Sequence, residues 1–80
     1  MTVQMFRELL TQRPFEPFCV VMPSGLRYEV RHPEMAMLTR TALYVGIDIA
    51  DDGIPAHFKI CSLLHITAIE PLSVSTASPA

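Results

Sequence analysis

The stretch FCVVMPSGLRYEVRHPEMAML, residues 18–38, decides the fold of this chain. It holds two β-rich runs, residues 18–22 and 26–30, on either side of Pro-Ser-Gly. Pro23 suits the second position of a tight turn and Gly25 can take a positive φ after Ser24, so the stretch predicts a hairpin. In its second arm Leu26, Tyr28 and Val30 point one way, while Arg27, Glu29 and Arg31 point the other. That alternation describes a strand with one buried and one wet face. The strand then meets Pro33, which has no N–H for a ladder and forces His32 into extended geometry. Arg31, His32 and Glu34 around it read as the polar skin of a bend. Met35, Met37 and Leu38 return the chain to apolar surroundings as a third strand.

Working outward, residues 2–12 predict a short amphipathic helix. Thr2 can cap it, and Val3, Phe6, Leu9 and Leu10 recur at helical spacing. A helix this short is not stable alone, so its apolar stripe must dock. Pro14 and Pro17 in RPFEPF end it and impose an extended path, with Phe15 and Phe18 filling the space between helix and sheet. Further strands are expected in EMAMLT, ALYVGI and HFKICSL, joined by TRT at residues 39–41 and by the polar turn DIADDGIPA at residues 48–56. The stretch LLHITAIEPL closes the ordered part. Residues 1–72 thus predict one domain, and SVSTASPA, residues 73–80, a disordered tail. The expected architecture is mainly β: an N-terminal α-helix, then a five-stranded, strongly bent antiparallel sheet of the small-barrel kind.

Eighty residues allow one small domain, yet half of them are hydrophobic. The mean hydropathy is +0.33. A chain of this length buries only about 60–65% of its unfolded surface. The excess apolar surface points to self-association, with part of it forming a subunit interface. Net charge is −2 and Lys59 is the single lysine. That balance disfavours both a dedicated nucleic-acid binder and a polybasic membrane anchor. No basic leader and no membrane-length apolar run is visible, so the chain reads as cytoplasmic, with Cys19 and Cys61 reduced and buried as small hydrophobes.

The layout resembles the Sm-like fold, including its bacterial Hfq branch and the related SH3-like small barrels. VVMPSGLRYEV looks like the first two strands of that fold, with Gly25 where Sm-like proteins keep a glycine after the turn, and SLLHITAIEP is similar to the last short strands of Hfq. PFEPF, PSGLRYEV and RHPE also resemble a group of short bacterial proteins that brings no function with it. The Sm-like resemblance implies subunits that pair edge strands into a ring, and RNA as a ligand. The RNA motifs depart, however. The chain has no asparagine, and Ser62, Leu63 and Leu64 stand where the family offers Arg-Gly or a Tyr-Lys-His run.

The remaining polar groups form no recognisable catalytic or metal pattern. His32, Glu34, His57 and His65 with Asp51 and Asp52 match no tight zinc spacing. Cys61 near His57 or His65 sits among Ile60, Leu63 and Leu64, which would raise rather than lower a thiol pKa. Asp48, Asp51 and Asp52 lack the alternating oxygens and closing glutamate of a calcium loop. No cofactor and no small-molecule substrate is expected. The sequence therefore favours a non-enzymatic small barrel that self-assembles and acts as a structural or protein-interaction module. The alternative is an RNA-binding ring with an atypical site on Arg27, Arg31 and Arg40.

Overall fold

A computed structural model describes residues 2–72, and the disorder expected at residues 73–80 lies outside the described residues. The elements are α1 (Val3–Thr11), β1 (Phe18–Val21), β2 (Arg27–Val30), a 3-10 turn (Pro33–Met35), β3 (Ala36–Leu38), β4 (Ala42–Ile49), β5 (Pro55–Ser62) and β6 (Ala68–Pro71). Thr2 caps α1 as its spacing predicts, its Oγ1 accepting the Met5 N–H at 3.2 Å.

Both long hairpins turn by the same local chemistry. In the first, the Gly25 N–H donates to the Met22 carbonyl and the Met22 N–H to that of Leu26, each at 2.9 Å. In the second, the Gly53 N–H donates to the Ala50 carbonyl at 2.9 Å and the Ala50 N–H to that of Ile54 at 3.3 Å. Gly25 and Gly53 take φ of +90° and +81°, which makes these three-residue loops with a glycine bulge. The Asp52 Oδ1 accepts the Ile54 N–H at 2.9 Å, so this carboxylate of the polar turn serves its own loop.

The six strands form two three-stranded antiparallel sheets, ordered β2-β1-β6 and β3-β4-β5. This corrects the expected single sheet of five strands. Pro33 starts a 3-10 turn whose Met35 N–H bonds back to the His32 carbonyl at 3.0 Å. That turn takes residues 33–35 out of the ladder, so the third strand shortens to three residues and, among the described residues, pairs with β4 alone. The sixth strand, β6, lies along β1 on the side away from β2, with Phe18 opposite Pro71 and Val21 opposite Ala68. No ladder among the described residues joins the two sheets into a closed barrel.

The sheets meet over one apolar core of Phe6, Phe18, Val20, Val30, Leu43, Val45, Cys61, Leu63 and Ile66. Phe6 brings the helix into it, with Val3, Leu9, Leu10 and Phe15 packed around the margin. No charged or polar residue is buried among the described residues. Gly46 in β4 is fixed by close approach: a Cβ there would lie 3.0 Å from the Pro55 Cβ and Cγ and 3.4 Å from the Met35 carbonyl oxygen. Two residues on, Asp48 enters the left-handed region at φ 55° and kinks the strand, a conformation aspartate tolerates better than most side chains.

Candidate functional site

Two surfaces carry features that folding alone does not require. The first belongs to β5. In the register of the β3-β4-β5 sheet, Leu43 faces Cys61 on the core side, whereas Tyr44 faces Ile60 and Gly46 faces Phe58 on the other. The strand is thus inverted. His57 and Lys59 share the side of Cys61, and the apolar Phe58 and Ile60 point to solvent, 57% and 64% exposed. Met37, 57% exposed and opposite Tyr44, extends the same apolar row across all three strands. The outer edge of β5, from Pro55 to Ser62, has no strand beside it among the described residues. Exposed edges are usually blunted by charge or proline, and here Lys59 and the terminal Pro55 are the only such residues.

The second surface is an open cleft of about 440 Å³ between β2 and β4, with Arg27, Tyr28, Glu29, Arg31 and His32 on one wall and Gly46, Ile47, Asp48 and Ile49 on the other. Arg27 is ion-paired with Glu70 of β6, and Arg31 with Glu29 at 2.8 Å. The Glu70 hydrogen bond raises the Arg27 pKa above its ordinary value, holding the guanidinium firmly charged. Of the three arginines proposed from sequence, the fold therefore brings Arg27 and Arg31 to one cleft, each already holding a carboxylate. Arg40 lines a separate depression with Val3, Thr41, Ser62, Leu63 and Leu64.

Cys19 and Cys61 are free and buried, and desolvation pushes both thiols above their ordinary pKa. That is the opposite of what a nucleophilic thiolate needs. His57 lies on β5, His32 at the mouth of the cleft and His65 in the turn before β6. Among the described residues no three His, Cys, Asp or Glu side chains converge as a metal site. No helix among them is long and apolar enough to cross a membrane.

The sequence reading missed the inversion of β5 and the pairing of Arg27 with Glu70. The alternation in HFKICS does signal two unlike faces, but not which of them meets the core. Comparison with known proteins adds no relative: no protein-family model, no curated protein and no solved structure matches the chain.

Proposed function

We infer that this chain is a non-enzymatic, Sm-like small barrel that self-assembles and serves as a structural or protein-interaction module. The observation that carries the reading is β5, an eight-residue edge with no strand beside it among the described residues and with Phe58 and Ile60 turned to water. Edge and face favour the same partner. A strand laid beside β5 satisfies its open N–H and C=O groups and covers Phe58 and Ile60 together.

A second copy supplies such a strand. β5 ends one sheet and β6 ends the other, so β5 of one subunit can join β6 of the next without using any edge twice. Contacts of that head-to-tail kind close into a ring if the rotation permits, and otherwise continue as a filament. The Sm-like resemblance implies the ring.

The test is mass in solution. Light scattering across a dilution series is expected to give a multiple of the 8.9 kDa chain, and Phe58→Ser with Ile60→Ser to give the monomer with the fold retained. A wild-type chain that stays monomeric at about 100 μM, where even weak interfaces are populated, contradicts the self-assembly reading. Salt-sensitive binding of A-rich or U-rich RNA at near-physiological ionic strength would instead promote the RNA alternative.

A further inference from the structure

The cleft between β2 and β4 follows from the same break in the chain that splits the sheets. Three consecutive residues of β2, Arg27, Tyr28 and Glu29, line it. Successive strand side chains point to opposite faces, so a cavity touching all three lies against the strand's edge. The same holds for the four consecutive residues 46–49 of β4. The other edge of β4 is occupied by β5 as far as Pro55, and β3 covers β4 only from Leu43 to Val45. Among the described residues two unpaired strand edges therefore face one cavity, because the 3-10 turn at Pro33 has withdrawn the segment that would have run between them.

The main-chain groups of β2 are oriented for use. The Met22 N–H bonds to the Leu26 carbonyl, so alternation along the hairpin turns the N–H and C=O of Tyr28 and Val30 toward β1. Those of Arg27 and Glu29 then face the open edge. The charges on the walls are unequally engaged. Arg27 and Arg31 are ion-paired, while the Asp48 carboxylate has no cationic partner among the described residues. Ile47 and the half-buried Tyr28 supply apolar lining.

We propose that this cleft binds an extended peptide of alternating apolar and basic residues, which adds as a strand to the Arg27–Glu29 edge of β2. Its apolar side chains lie against Ile47 and Tyr28, and a basic one meets Asp48. The proposal deepens the interaction-module reading and rests on it for the claim that the chain binds protein, but it uses a different edge from self-assembly.

The probe is a capped Val–Lys alternating hexapeptide, with a Val–Glu hexapeptide as comparison, titrated into the isotope-labelled full chain and followed by amide NMR. The Val–Lys peptide is expected to shift the amides of Arg27, Glu29 and Asp48 and to saturate below about 1 mM. Glu29→Pro removes an outward N–H without touching the β1 ladder, and is expected to weaken binding at least tenfold relative to Glu29→Ala, which loses the same carboxylate from Arg31. Methylating the strand-facing peptide nitrogens breaks the same bonds with the protein unaltered, which keeps the test valid should the proline variant misfold. Asp48→Asn is expected to weaken the Val–Lys peptide severalfold. Undiminished binding to Glu29→Pro or to the methylated peptide overturns the proposal. So do equal binding of the Val–Glu peptide, shifts confined to β5, and no saturation by either peptide. Light scattering on the same samples separates the two claims: a monomer that binds Val–Lys at the cleft refutes self-assembly and leaves this site standing.

Discussion

Gly46→Ala tests whether the close approach of Pro55 to β4 constrains the fold. The new Cβ would sit 3.0 Å from two Pro55 carbons, backbone-bound on the neighbouring strand. Carbon pairs prefer about 3.5–4.0 Å, so the strands must part by roughly half an ångström or more. Met35, whose carbonyl oxygen would lie 3.4 Å from the added methyl, limits escape in that direction. Overpacking of this kind costs about 1–3 kcal/mol. Alanine also restricts the unfolded chain, which returns about 0.4–1 kcal/mol. The net loss is about 1.3 kcal/mol at mid-range, between limits of about 0 and 2.6 kcal/mol. At roughly 4–8 °C per kcal/mol for a domain of this size, the mid-range loss lowers the melting temperature by about 5–10 °C. Circular dichroism melts at one fixed protein concentration measure it, and a double-mutant cycle with Pro55→Gly assigns the cause. Removing both contacted Pro55 carbons should make the two changes couple favourably. A Gly46→Ala variant more stable than the parent, or a cycle with no coupling, would refute the steric account.

Stability should fall as pH rises through the thiol range. Burial raises the folded-state pKa of Cys19 and Cys61, so the unfolded chain releases protons that the native chain retains. The stabilisation is complete below the ordinary thiol pKa of about 8.5 and is lost above it, by at most about 1.4 kcal/mol per pH unit for each thiol. Denaturant midpoints from pH 7 to 10 check this, and Cys61→Ala should make the decline shallower; a steeper one contradicts it. Thr2→Ala deletes the helix cap seen in the Oγ1 contact with Met5 and should cost about 1 kcal/mol. Chemical denaturation would read the loss, and an unchanged midpoint would mean that the first turn contributes little.

How much could be read from sequence depended on how local each determinant is. Thr2 and the helix, and the Met22–Leu26 turn with Gly25, are set by residues within a few positions of one another. All were legible. Pro33 was legible as a bend, but not as a break that divides one sheet into two. That outcome depends on how far β4 extends past β3, a register fact between distant segments. A strand at Ala68–Pro71 was indicated only through the resemblance, in SLLHITAIEP, and its partner was not legible, because it forms by lying against β1 at the other end of the chain. Arg27 and Arg31 line one cleft, although β2 ends at Val30 and leaves Arg31 outside the strand, and their carboxylate partners divide into one local residue, Glu29, and one remote, Glu70.

The absence of buried polar side chains among the described residues bears on how this molecule meets its surroundings. Below the thiol range, the interior holds nothing that salt or acid can address. Ionic strength acts on the perimeter, where the charged side chains of the described residues lie, the Arg27–Glu70 and Arg31–Glu29 pairs and Asp48 among them. Salt should then weaken the cleft's hold on a basic peptide while leaving the fold and the apolar β5 contact alone. A partner could be eluted at high ionic strength and rebound at low, from the same folded sample.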